Sequence, residues 1–208
     1  MSPSELHVFG GVPALAVLAW RLGAPLWCAS TATVGGGIGL RDWVLNAQVP
    51  PDYGRRDVGA HVAEVAGSLG LRGAGVGMLT AAEVADVARA EDGGVRVEAT
   101  VGLDRPLWAA APTEDAFAAA PGTVNVVAFL PVRHSDAALA NILCTVTEAK
   151  VQALLDGGVA GTGTASDAVT VLCPATGPAE PFGGPRSAYG SRVARAVHAA
   201  VGSGMARP

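Results

Sequence analysis

Lys150 is the residue whose type stands out most for chemistry. Of fourteen lysines and arginines in the 208-residue chain, thirteen are arginine and this one alone is lysine. Guanidinium cannot give up its proton and is broad, whereas a lysine in apolar surroundings can act as a base or a compact donor. Lys150 lies in Asp136–Asp156, a stretch of helical period. Ser135 suits its N-cap, Asp136 its positive end, and Gly157-Gly158 its stop. A turn of about 100° per residue gathers Leu139, Leu143, Val146, Thr147, Lys150 and Leu154 into roughly one 80° sector. Asn141, Thr145, Glu148 and Gln152 fall on a second, polar sector. A lysine on an apolar stripe snorkels to water, pairs with a carboxylate, or loses its proton. Asp167, one short connection downstream, is the carboxylate within reach.

Asp167 closes the run Gly161-Thr162-Gly163-Thr164-Ala165-Ser166. Backbone N–H groups and hydroxyls in such a run can bind a polar ligand group, or form a tight turn at a strand entrance. Hydroxyl nucleophile candidates are Ser30 and Thr31, at the end of an apolar strand, and Thr147, near Lys150. No G-x-S-x-G elbow is present. The four histidines, His7, His61, His134 and His198, are scattered and read as surface or cap residues. A Ser/Thr–Lys arrangement or a carboxylate-activated water are then the remaining routes to amide hydrolysis.

These residues must be carried by interleaved strands and helices. Short apolar runs bounded by Gly or Pro predict strands at Pro25–Thr33, Trp43–Val49, Ala74–Thr80, Val95–Val101, Val124–Leu130 and Ala168–Leu172. Helices are predicted at Asp57–Leu69, Ala81–Ala90, Asp136–Asp156 and Ser187–Val201. Ala111–Gly122 and Pro174–Pro185 read as surface connections, and Gly202–Pro208 as a frayed tail. The expectation is an α/β or α+β fold: one layered domain over residues 1–208, with a mixed sheet packed by helices.

Composition narrows the function. Half the residues are hydrophobic and 15% are charged, which excludes general disorder. A net charge of -4 argues against a nucleic-acid binder. The three cysteines, Cys28, Cys144 and Cys173, form no CxxC or Cys/His ligand spacing, so neither a disulfide framework nor a metal site is expected. Val12–Trp20 is too short to span a bilayer and lacks the basic start of a secretory signal. A cytoplasmic protein without a membrane partner is expected. Three glycine clusters, at Gly35–Gly39, Gly73–Gly77 and Gly161–Gly163, miss the context of a phosphate-cradling loop; position 42, for example, is Asp where GxGxxG needs glycine.

Taken together, the segments resemble the adenosylcobinamide amidohydrolase family. The match is carried by Gly122-Thr123-Val124-Asn125-Val126, Thr145-Val146-Thr147-Glu148-Ala149-Lys150 and Gly163-Thr164-Ala165-Ser166-Asp167-Ala168. Ser30-Thr31-Ala32 with Gly35-Gly36-Gly37, Asn46-x-Gln48-Val49, Gly77-Met78-Leu79-Thr80-Ala81 and Phe182-Gly183-Gly184-Pro185 are also similar. The resemblance covers about residues 24–201, with Ser166 where the family usually has threonine.

The resemblance implies corrinoid salvage: hydrolysis of the amide joining the aminopropanol arm to the corrin ring, turning adenosylcobinamide into adenosylcobyric acid. Cobalt arrives inside the substrate, so no cofactor of the protein's own is implied. On this basis Lys150 with Asp167 is the preferred catalytic pair. Thr147 is the nearest hydroxyl, and Ser30 is an alternative one. Glu148, about 160° around the helix from Lys150, takes a neighbouring role. Thr123, Asn125 and Thr164 are candidate oxyanion or amide binders, and Ser30, Gly36 and Asn46 complete the substrate-binding set. Two alternatives stand beside this reading: a corrinoid carrier or sensor that cleaves nothing, and a nucleotide-dependent oxidoreductase. Oligomeric state is left open.

Overall fold

The computed structural model describes residues 4–10, 15–112 and 122–206. Eight strands join in one mixed sheet. They are β1 (Glu5–Phe9), β2 (Leu15–Ser30), β3 (Gly37–Gln48), β4 (Gly75–Thr80), β5 (Ala88–Asp92), β6 (Val95–Val101), β7 (Val124–Phe129) and β8 (Ala168–Cys173). Their order is β4-β3-β2-β8-β7-β6-β5, with β1 added to β2. Only β3–β4 and β7–β8 are parallel. The helices among the described residues are α1 (Val58–Ser68), α2 (Asp136–Asp156) and α3 (Gly190–Met205). The α/β architecture and the mixed sheet match the expectation from sequence.

The sheet serves two layers because β2 and β3 are long. Pairing between them shifts register between Arg21 and Leu26, where Gly23-Ala24-Pro25 interrupts the ladder. On one side of that break, β1, the first half of β2, the second half of β3 and β4 form one layer. On the other side, the second half of β2 joins β8, β7, β6 and β5. Side-chain alternation then sorts three cores. In β7, Val124, Val126 and Ala128 face α2 and α3, while Val127 and Phe129 face the other β layer. In β3, Val44 points inward between the layers, and Trp43, Leu45 and Ala47 meet Val62 and Val65 of α1. The order is helix, sheet, sheet, helices. Strands buried on both faces read as near-continuous apolar runs, as β7 and β8 do apart from Asn125 and Thr170.

Several elements differ from the sequence expectation. Ala81–Ala90 is not a helix. It holds one short 3-10 turn, Val84–Asp86, followed by β5. The cause lies just downstream: Gly93 and Gly94 both take positive φ, 52° and 86°, and close a two-residue hairpin that pairs Asp92 with Val95. Cross-strand pairing overrides the helical propensity of the alanines. The described part of Val12–Trp20, residues 15–20, which the sequence weighed as a membrane span and a secretory signal, forms the start of β2. The C-terminal helix starts later than expected and continues to Met205, so most of the expected tail is helical. Much of the Ala111–Gly122 connection lies outside the described residues. α2 has the bounds expected. Its Ser135 Oγ accepts from the Ala138 N–H at 3.2 Å, which satisfies one orphan donor of the first turn. α2 is long and apolar enough to cross a membrane by composition, but half of its most apolar stretch is buried inside the fold.

Candidate active site

Lys150 and Asp167 form a buried ion pair, with side chains 7% and 12% exposed. α2 brings the lysine from one side, and the turn ahead of β8 brings the carboxylate from the other. Asp167 Oδ2 accepts from Lys150 Nζ and from the Thr164 N–H. Its Oδ1 accepts from Thr164 Oγ1 at 2.5 Å and from the Val124 N–H at 2.8 Å. Both carboxylate oxygens are therefore doubly satisfied, and one charge ties α2, the turn at 162–167 and the entrance of β7 together. Gly163 is required where it stands: a Cβ there would overlap both Asp167 Oδ2 and Lys150 Nζ.

Next to this brace, a cavity of about 390 Å3 opens between the two β layers. Its walls come from the end of β4, the entrances of β7 and β8, and the loops after β2 and β3. Thr123, Asn125 and Ser166 line it, with Thr80 and Tyr53. Lys150 and Asp167 do not; they stand behind the wall, each next to a segment that forms it. Thr123 and Ser166 share a hydrogen bond of 2.8 Å between their hydroxyls.

Asn125 is 2% exposed. Its Nδ2 donates to Asn46 Oδ1 at 2.9 Å and to the Leu79 carbonyl at 3.3 Å. Asn46 Nδ2 in turn donates to Thr100 Oγ1 at 2.9 Å. This chain crosses from one β layer to the other and fixes which way the Asn125 amide faces. Among the described residues, Asn125 Oδ1 is left buried without a partner. A buried amide oxygen lacking a hydrogen bond is costly unless something arrives to donate to it. With both of its amide protons engaged, Asn125 offers an acceptor and not an oxyanion donor.

The structure distributes the other expected site residues widely. Thr147 and Glu148 are exposed, on the outer face of α2. The Thr147 hydroxyl bonds back to the Leu143 carbonyl at 2.9 Å. Thr147 lies about 60° beyond Lys150, and that step carries it over the edge of the buried arc. Thr145, placed by pattern on the polar side, is buried, and its hydroxyl donates to the Gly183 carbonyl. The arc is shifted because α2 packs on α3 as well as on the sheet. Ser30 is buried behind the cavity wall; it shares a hydrogen bond with Thr170 at 2.9 Å and accepts from the Ala32 N–H. Gly36 packs its Cα against the Ala32 carbonyl in the tight turn between β2 and β3. Asn46 positions Asn125 from beneath. Thr164 spends both its hydroxyl and its N–H on Asp167.

Sequence reading missed one pair. Tyr53, in the loop after β3, lines the cavity, and its hydroxyl lies 2.7 Å from His61 Nδ1. The rings stack with centroids 5.4 Å apart. His61 is buried on the first turns of α1, and burial holds its pKa below the usual histidine value. Burial pushes the Tyr53 phenol up, against the opposing pull of Arg55. His134 is buried too, with Nε2 lacking a partner among the described residues. Neither histidine is the surface residue that scattered spacing implied. Tyr53 and His61 are separated by a loop and a helix start, a distance no local periodicity links.

Comparison with known proteins agrees with the resemblance. The family model described as adenosylcobinamide amidohydrolase matches residues 4–208. A protein named adenosylcobinamide amidohydrolase from Methanosarcina mazei is 28% identical over 186 residues, covering 85% of this chain and 89% of that relative. One of the same name from Halobacterium salinarum is 41% identical over 129 residues, covering 58% of this chain and 53% of its own length. On a match spanning both β layers and all three helices, the chain belongs to the adenosylcobinamide amidohydrolase family.

Proposed function

We propose that this chain hydrolyses the amide between the aminopropanol arm and the corrin ring of adenosylcobinamide, releasing adenosylcobyric acid for cobamide salvage in the cytoplasm. The observation that carries the reading is Asn125, a residue of the cavity wall whose Oδ1 is buried and, among the described residues, without a partner. A secondary amide offers one N–H, and this oxygen is a fixed acceptor for it. The cavity, about 390 Å3, lies at the small end of the ligand-pocket range of roughly 300–1,000 Å3. It suits an arm and its amide, with the macrocycle held at the mouth. Thr123 and Ser166 add hydroxyls beside that acceptor. Lys150 and Asp167 serve from behind, by fixing the two turns that present these groups. Hydrolysis of an amide needs proton transfer and charge stabilisation, which side chains can supply without a cofactor belonging to the protein.

Incubation of the protein with adenosylcobinamide, followed by mass spectrometry, tests the reading directly; free aminopropanol and adenosylcobyric acid are the expected products. Tight binding with no cleavage would establish the carrier alternative in its place. Asn125→Leu keeps the bulk and removes the acceptor. Leaving the substrate N–H unpaired costs about 1–3 kcal/mol, so kcat/KM should fall about fivefold to 150-fold.

A further inference from the structure

We propose that Tyr53 is a catalytic residue of this amide hydrolysis, taking a proton from the attacking water while passing its phenolic proton to His61. The inference rests on the functional reading above and deepens it. Among the described residues lining the cavity, Tyr53 is the one whose hydroxyl is bonded to a titratable base. Thr123 and Ser166 are bonded to each other, and Thr80 Oγ1 accepts from the Ala82 N–H. A 2.7 Å contact to Nδ1 lets the phenol donate inward to His61 and leaves an oxygen lone pair for a donor in the cavity. Ring stacking holds the geometry, and Phe9 of β1 closes the far side of the imidazole at 6.2 Å.

The step balances. One water O–H breaks as its proton moves to Tyr53 Oη, and the Tyr53 O–H breaks as its proton moves to His61 Nδ1. The hydroxide oxygen bonds to the amide carbon. Collapse breaks the C–N bond, and the proton returns from His61 through Tyr53 to the leaving nitrogen. Water is consumed, and a carboxylic acid and an amine are formed. His61 is a positioning and proton-holding residue here, because it acts through Tyr53. The charges that face it are Glu64 of α1, Asp57 at the N-cap of α1 and Arg55 of the preceding loop, with Arg55 held by both carboxylates at 2.6 and 2.9 Å. Burial and Arg55 oppose the imidazolium, and Glu64 and Asp57 offset them in part, so the proton is held only transiently before it returns to the leaving nitrogen.

Four proteins decide it: wild type, Tyr53→Phe, His61→Gln and the double variant, each assayed on adenosylcobinamide across about pH 5–9. Tyr53→Phe keeps the ring and loses the relay, so kcat should fall about 10²-fold or more with KM little changed. His61→Gln can still accept from the phenol but cannot hold a proton. Its kcat should fall similarly, and the acidic limb of the wild-type profile should vanish. The double variant should be no worse than either single one. Cleavage by wild type with Tyr53→Phe retained within about threefold would overturn the relay and leave the functional reading intact; no cleavage by wild type would overturn the functional reading first. Should one variant fail to fold, the other decides alone, activity within about threefold of wild type overturning the proposal; should both fail, a wild-type kcat with no solvent deuterium isotope effect overturns it, because the relay moves two protons in the attack step.

Discussion

At Asp167 the Lys150 ammonium is one of four donors, and it is the one that brings a compensating charge. Lys150→Met would keep the side-chain bulk and leave the carboxylate buried with three dipolar partners. Breaking a buried pair costs about 3–5 kcal/mol, and the surviving hydrogen bonds place this case near about 3 kcal/mol. Urea denaturation at pH 7 measures it. Lys150→Arg keeps the charge but brings a broad head into space closed by the Gly163 backbone. It should lose activity even where the protein still folds, since the turn that presents Ser166 must move. The importance of Lys150 was legible from composition, and its partner from proximity in the chain. Asn125 Oδ1 was not, because its free valence depends on Asn46 and Leu79, which lie on other strands and are absent from its own neighbourhood in sequence.

Elements show the same division. α2 carries its own start and stop, Ser135 and Gly157, and its bounds followed from them. Ser135→Ala removes a cap bond worth about 1 kcal/mol, and a lowered urea midpoint with unchanged slope is the expected outcome. Cap chemistry is local, so it is visible in sequence. The Ala81–Ala90 segment lacked such signals, and its alanines favoured helix. The Asp92-Gly93-Gly94 turn and the waiting edge of β6 made it a strand instead. Face assignment within α2 was only partly legible. Angular geometry put Thr147 beside Lys150, but packing against α3 as well as the sheet set where the buried arc ends, and Thr147 fell outside it.

For the whole molecule, layering has a measurable consequence through buried histidine. Burial holds His134 and His61 below their ordinary pKa of 6.5. Above that value both the native and unfolded chains are neutral at these sites and no penalty arises. As pH falls below about 6.5, the unfolded chain binds protons that the native chain resists, so stability drops, by up to about 1.4 kcal/mol per pH unit per histidine. The loss ends once the native sites also protonate. Urea midpoints at pH 7, 6 and 5 should decline accordingly, and His134→Leu should flatten part of the slope. By itself the sequence determined the family, the mixed α/β class, most strands and the lysine–carboxylate pair, because these rest on composition, local period and linked motifs. Only the tertiary structure decided that β2 and β3 bend to make two layers, that a cavity lies between them, and that Asn125 and Tyr53, with His61 behind it, stand at its wall. Those depend on which distant strand faces abut, and alternation along one strand does not say what lies across from it.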